Sequence, residues 1–185
     1  MEILSISELN TAQIVEMLVG GSLLIFCAYI SFPLTNWLVQ KSFNNWYKYA
    51  ESEWTKAFFH TNLTRKVALI APSLIIQIAV GLVPHVSKDV TSIIKNIAVS
   101  VTIFYLLRVL LALLDIFENL QVQNALREKR PKAIKSYVQL SKILLIILGT
   151  IVIISTLIDR SPLIFVSGIG AMSAVLLIVF KDTLT

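Results

Sequence analysis

Residues 136–180 read SYVQLSKILLIILGTIVIISTLIDRSPLIFVSGIGAMSAVLLIVF, two long apolar runs separated by a short polar turn at Asp159, Arg160 and Ser161. Each run is about 20 residues long, which is the length that a helix needs to cross roughly 30 Å of hydrocarbon. Two such runs joined by a short polar turn are typical of a hairpin of membrane-spanning helices.

The rest of the chain has the same apolar character. Of its 185 residues, 56% are hydrophobic and 15% are charged, and the mean hydropathy is +0.80. A soluble domain is usually less apolar and about a quarter charged, so the composition argues against an ordinary soluble fold. The predicted fold is an all-α polytopic transmembrane helical bundle with about five spans. The spans are predicted over residues 11–39, 66–86, 91–118, 136–158 and 162–180.

Basic residues are concentrated in two of the loops between these spans. They are Lys41, Lys48, Lys56, Arg65 and Lys66 in the loop over 40–66, and Arg127, Lys129, Arg130, Lys132 and Lys135 in the loop over 119–135. Because basic loops stay on the cytoplasmic side, we expect the N-terminus outside and the C-terminus inside. The net charge of +5 is therefore attributed to topology, and no nucleic-acid partner is expected.

The loop over 40–66 also contains aromatic residues at helical spacing, among them Trp46 and Trp54. One interpretation is an amphipathic helix near 43–58 that lies among the inner headgroups, with these Trp side chains as anchors. The other is an extension of the first and second spans beyond the membrane. Either arrangement would couple the shape of the bilayer to the neighbouring spans.

The last span changes character halfway along its length. Six small residues fall within eight positions: Ser167, Gly168, Gly170, Ala171, Ser173 and Ala174. An apolar run over 175–180 follows, and then the polar pair Lys181 and Asp182, where a helix is able to bend at the inner surface. Small residues at this density let helix backbones approach closely. The partner helix is either another span of the same chain or the same span of a second copy.

Few charged or strongly polar residues lie inside the predicted spans. Arg108 is deep in the third span, where a charge costs at least about 2.5 kcal/mol. It either pairs with an acid on another helix or reaches the inner surface, or else it contacts a lipid phosphate or responds to voltage. Gln77 is expected to bond between helices, and Pro72 and Pro84 to kink the second span.

The sequence contains no arrangement that is typical of an enzyme. His60 and His85 fall on opposite sides of the membrane in the predicted topology, so they cannot share a metal ion. No phosphate-binding loop or nucleophile motif occurs either. We therefore expect no catalysis, no bound metal and no cofactor.

The stretch from Leu163 to Thr185 resembles the pore helix of the MscS-type small-conductance mechanosensitive channels. Gly170 and Ala171 stand at that family's Gly-Ala pair, and the residues over 183–185 stand at the start of its second pore-helix segment. Lys181 and Asp182 stand at its kink. The segment over about 130–185 is most similar to the miniconductance-like branch of the family.

This resemblance implies a homoheptamer in a bacterial inner membrane, with the last span of each subunit around a central pore. The residues that it implies for the pore lining and gate are Gly170, Ala171, Ala174, Leu177, Ile178 and Phe180. Those implied for helix packing are Ser167, Gly168 and Ser173, and those for the kink at the inner mouth are Lys181 and Asp182. The family's sealing leucines fall at Ala174 and Ile178; because Ala174 is small, the seal is expected at Leu177, Ile178 or Phe180.

The resemblance also divides the chain into two parts. Residues 1–130 are expected to form lipid-facing sensor helices, with Trp46, Trp54 and Arg108 as membrane-sensing candidates. Residues 131–185 are expected to form the fourth span and the pore-lining helix, truncated before the cytoplasmic domain that the family has.

The expected function is a tension-gated ion channel that releases ions and small solutes on hypo-osmotic stress. Its expected partners are membrane lipids and further copies of the chain. A secondary transporter and a non-conducting membrane scaffold are the alternatives.

Overall fold

The computed structural model describes residues 11–47, 63–128 and 133–183 of the chain. Within these three ranges the chain forms helices and short connections, and no strand occurs. The all-α fold class predicted from the sequence is therefore confirmed.

Six α-helices make up the described structure. They are α1 (Thr11–Tyr47), α2 (Leu63–Ala68), α3 (Ile70–Ala79), α4 (Lys88–Glu128), α5 (Ala133–Leu157) and α6 (Pro162–Thr183), and a 3-10 turn over Val80–Leu82 follows α3. Five helical stretches are long and apolar enough to cross a membrane: Gln13–Ser42, Leu63–Leu82, Lys88–Val122, Lys135–Leu157 and Pro162–Lys181. The five predicted spans are thus confirmed, and each end moves by at most four residues.

The second span is interrupted at Leu69, between α2 and α3. Pro72 lies in the first turn of α3 and has no N–H group to bond the carbonyl of Ala68, so the break has a local cause. Pro84 lies beyond the 3-10 turn rather than inside a helix. The interruption beside Pro72 agrees in position with the kink predicted there, whereas Pro84 lies outside the helix that it was predicted to kink.

The connections at the ends of the spans satisfy their own backbone groups. Ser87 caps α4, because its hydroxyl accepts a hydrogen bond from the Val90 N–H at 3.3 Å. After α5, Asp159 adopts a left-handed conformation with φ of 56°, and the Arg160 N–H bonds the Ser155 carbonyl at 2.9 Å. This pattern is a Schellman motif. Ser161 and Pro162 then start α6, with proline at the first helical position.

Small residues bring the helices together at two points. The distance from a Cβ atom placed on each glycine measures how closely the neighbouring residue approaches. At Gly149 of α5, such an atom would lie 2.7 Å from a terminal carbon of Leu107 on α4. At Gly20 of α1, it would lie 3.2 Å from a Val83 side-chain carbon and 3.3 Å from the Pro84 ring. Because lipid tails are as apolar as leucine, the helices gain little from the hydrophobic effect and depend on such close packing.

The most extensive packing in the described structure joins α4 to α5, and α1 and α4 each pack on α3. The predicted division of the chain at residue 130 therefore falls between the two helices that share the largest interface. Most large apolar side chains point outward, as expected for helices that are solvated by lipid.

Gly149→Leu is expected to lower the free energy of unfolding by about 1–3 kcal/mol, because the new side chain overlaps Leu107 and forces α4 and α5 apart. Thermal unfolding in detergent micelles measures the effect. Gly21→Leu is the matched control, because nothing lies within 4 Å of a Cβ added at Gly21. Equal unfolding temperatures for the two variants would contradict the close packing at Gly149.

Candidate functional site

The last helix, α6, has almost no packing within its own chain. Every residue from Pro162 to Lys181 is exposed except Phe165, which is half-buried. In its most apolar stretch no residue is buried, whereas 22% of the corresponding stretch in α4 is buried. Its extensive contacts in the described structure are with α5 alone, the helix that precedes it.

The glycines of α6 differ from those of the packed helices. A Cβ added at Gly168 or Gly170 would meet nothing within 4 Å, in contrast to Gly20 and Gly149. Packing against another span of the same chain was one explanation of the small residues, and the described structure contains no such partner for the two glycines. Packing against a second copy stays a prediction.

The polar groups among the small residues are satisfied within the helix. The Ser167 hydroxyl donates a hydrogen bond to the Ile164 carbonyl at 3.1 Å, and the Ser173 hydroxyl donates one to the Ile169 carbonyl at 2.8 Å. This surface therefore presents small, internally bonded groups rather than free donors. It suits close contact with a helix more than recognition of a polar ligand.

The candidate gate residues lie on the same open surface. Leu177 is 72% exposed, Ile178 61% and Phe180 56%, and Ala171 and Ala174 are exposed as well. Exposure does not decide which of them is narrowest in an assembly, so the gate stays a prediction.

The helix runs through Lys181 and Asp182 to Thr183 without interruption. The described helix therefore continues past the position of the predicted kink, which stays a prediction. Residues 184 and 185 lie outside the described residues, and with them most of the predicted second pore-helix segment.

The candidate interfacial segment over 43–58 is only partly described. Residues 43–47, including Trp46, form the last turn of α1, and Trp54 lies outside the described residues. A contact between a cation and an aromatic ring that was not predicted from the sequence lies just before residue 43 in α1. There the Lys41 ammonium is 4.6 Å from the centre of the Trp37 ring. A Trp and a Lys four residues apart at the end of a span are the sequence signal for such a pair.

A small polar cluster joins the second and third spans. The Gln77 amide donates to the hydroxyl of Thr102 and, at 3.3 Å, to the carbonyl of Ala98, while the Thr102 hydroxyl lies 2.8 Å from that of Ser73. The prediction that Gln77 bonds between helices is confirmed. This cluster holds α3 on α4 next to the break at Leu69.

A charged cluster joins the third and fourth spans. The Lys142 ammonium lies 2.6 Å from a carboxylate oxygen of Asp115 and 2.6 Å from one of Glu118. This pairing was not predicted from the sequence. The signal was present, since two acids three residues apart on one span share a helix face and a lone lysine occupies the next span.

Arg108 does not join this cluster. Its side chain is exposed, and the guanidinium carbon lies 5.9 Å from the centre of the Phe104 ring. Within the described ranges no carboxylate lies within 4.0 Å of it, so the expected pairing with an acid on another helix is not found. Phe104 is one turn toward the N-terminal end of α4, so the side chain also does not reach toward the predicted inner surface.

At the opposite end of the bundle, the loop between the second and third spans contacts α1. The imidazole Nε2 of His85 lies 3.0 Å from a carboxylate oxygen of Glu16, one turn before Gly20. His85 has a positive φ of 62° directly after Pro84, which is the pattern of a type II turn. The contact fixes this loop on α1. Among the described residues, no group of three or more His, Cys, Asp or Glu side chains is placed to hold a metal ion.

No protein-family model matches this chain, and no solved structure matches it. The fold defines the protein as a multi-pass α-helical membrane protein. Its resemblance to the MscS-type channels stays a prediction that rests on residues 130–185.

Lys142→Met is expected to lower the free energy of unfolding by about 1–3 kcal/mol, because it leaves the carboxylates of Asp115 and Glu118 close together without a cation. The expected loss of stability is smaller than for a fully buried ion pair, because the side chains of Lys142, Asp115 and Glu118 are all partly exposed. Thermal unfolding in detergent measures it. Lys135→Met, at an exposed position on the same helix, should change stability by less than about 0.5 kcal/mol. Similar effects at both positions would refute a structural role for the cluster.

Proposed function

We propose that this chain is the subunit of a membrane-tension-gated ion channel that releases ions and small solutes on hypo-osmotic stress. The observation that supports it best is the open surface of α6. This helix is apolar enough to cross a membrane, carries a dense patch of small residues, and has no partner for them in the described part of its own chain.

A helix with this surface needs neighbours. Glycine inside a helix costs roughly 1 kcal/mol relative to alanine, and no contact in the described chain uses the space that Gly168 and Gly170 leave. One α6 cannot enclose a channel, so several copies would have to surround an axis. In such a ring the small residues allow adjacent α6 helices to approach closely and to change their crossing angle.

The apolar end of α6 provides a means of closing the pore. Rings of Leu177, Ile178 or Phe180 would make a constriction from which water withdraws, and a dry apolar constriction blocks ions without a physical plug. Lys181 would then place positive charge near the predicted inner mouth, with the N-terminus outside and the C-terminus in the cytoplasm of a bacterial cell.

The remaining helices supply the coupling to tension. Large apolar side chains on α1, α4 and α5 are exposed and would contact lipid directly. If the open state occupies more membrane area than the closed state, tension shifts the population toward it.

A non-conducting scaffold is the alternative that the same observation favours next, because assembly through α6 does not require a pore. A secondary transporter has less support. Gln77, Thr102 and Ser73 bond to one another, so these polar groups are not free to bind a solute. Among the described spans only the second is interrupted, whereas transporter sites are typically built from paired interrupted helices.

Suction on membrane patches that contain the full-length protein tests the proposal. Current that appears above a threshold of tension is the expected result, and patches without the protein are the control. A protein that assembles but gives no tension-dependent current would support the scaffold, whereas saturable uptake of a solute would support a transporter.

The role of the α6 glycines is tested by Gly170→Val and Gly168→Val. Valine is expected to weaken association of the copies and to shift the tension threshold, because its side chain holds adjacent helices apart. Chemical cross-linking in native membranes and patch recording measure the two effects. Gly21→Val is the matched control, since that glycine also has open space around it but lies on α1. If all three variants behave alike, α6 is not the surface of assembly.

A further inference from the structure

Arg108, Asp115 and Glu118 lie on α4 and Lys142 lies on α5, and their charges are paired unevenly. Lys142 contacts both Asp115 and Glu118 at 2.6 Å, so one positive charge faces two negative charges. Arg108 lies on the same helix as the two acids and contacts only the Phe104 ring. The three-residue cluster has a net charge of −1, and adding Arg108 brings the total to zero.

The position of the Arg108 charge is energetically unfavourable in a membrane. It is exposed within a stretch of α4 that is apolar enough to span a membrane, and its guanidinium points toward the N-terminal end of the helix, away from the acids. A charge inside the bilayer is tolerated when it pairs or reaches water. Contact with an aromatic ring provides neither.

Asp115 is within reach of Arg108. The two residues are seven positions apart, which places them within about 20° of the same helix face and about 10 Å apart along the axis. An extended arginine and an aspartate side chain together span that distance. The Asp115 side chain is 49% exposed, so the carboxylate has an open side, and a carboxylate accepts several hydrogen bonds.

We infer that Arg108 exchanges between two positions, the one over Phe104 and a second in which it pairs with Asp115 while Lys142 keeps Glu118. In the second position each acid has one cation. The exchange moves a positive charge on the order of 10 Å along the axis of α4, away from the middle of the span. This device goes beyond the proposed function, because it requires neither conduction nor a pore.

Other partners for Arg108 are less favoured by the structure. The remaining described carboxylates whose side chains are placed are Glu16, Asp89 and Asp159, and they lie near the ends of the spans at the opposite side of the bundle. Copies in a ring about the membrane normal hold equivalent residues at equal depth, so a neighbouring subunit would bring none of these to Arg108. A lipid phosphate from the predicted inner surface would have to pass Lys142, Asp115 and Glu118, whose net negative charge repels it.

Arginine side-chain NMR of the protein in nanodiscs of zwitterionic lipid tests the exchange directly. The Arg108 Nε–H signal is assigned by its loss in Arg108→Gln. Asp115→Asn is expected to shift it, and Asp89→Asn is the control, because Asp89 is a carboxylate in the first turn of the same helix, far from Arg108. A signal that moves in neither variant, or equally in both, would overturn the inference.

Two further measurements keep the inference testable if Asp115→Asn does not fold. In the wild-type protein, a nuclear Overhauser contact between the Arg108 Nε–H and the Asp115 Hβ protons supports it, and contacts to the Phe104 ring alone overturn it. In the conservative variant Asp115→Glu, which keeps the charge, the same contact should persist at the new side chain.

A double-mutant comparison of unfolding temperatures adds an energetic test. Arg108→Gln and Asp115→Asn should each lower the unfolding temperature, and together they should lower it by less than the sum of the two. Arg108→Gln with Asp89→Asn should be additive, because Asp89 lies in the first turn of α4, far from Arg108. Additivity in both pairs, or an effect of Arg108→Gln that appears only with anionic lipid or only at high subunit density, would overturn the inference in favour of a lipid phosphate or a neighbouring copy.

Discussion

The hydrocarbon core of a bilayer contains no water, so every backbone N–H and C=O group there must be satisfied inside the protein. In this chain the requirement is met by long helices whose ends are capped by Ser87, by the turn at Asp159 and by Ser161. The same environment removes most of the hydrophobic gain from helix packing. What holds the bundle together is therefore a few close contacts, as at Gly149, and a few polar ones, as at Gln77 and Lys142.

These contacts are distributed unequally along the chain. The first five helices are joined by glycine contacts, by the hydroxyl and amide cluster and by the charged cluster, whereas α6 has none of these. A helix that carries a patch of small residues and packs extensively only on α5 within the described structure is suited to the proposed contacts between copies. That contrast, rather than any single motif, supports assembly through α6.

The spans were predictable from sequence because about 20 consecutive apolar residues have few other uses in a protein. Gln77 was predictable as an inter-helix bond for a related reason, since an amide inside the membrane must find a partner. The charges of Asp115, Glu118 and Lys142 were visible in the sequence, but their pairing was only partly predictable, because it also depends on which faces of α4 and α5 meet, as they do at Gly149 and Leu107. Pro84 was misassigned because hydropathy does not locate the end of a helix, and the last part of the second predicted span is a turn.

The four-residue connection between Leu157 and Pro162 has a mechanical consequence. Its residues are tied by the Schellman bonds on one side and by the start of α6 on the other, which leaves little slack between the two helices. The connection is the point about which α6 would tilt. A slight change of tilt there produces its largest displacement at the far end of α6, where Phe180 and Lys181 lie about 27 Å away. A small tilt of α6 about the connection would therefore move the end of the helix at the opposite side of the bilayer much further than its beginning.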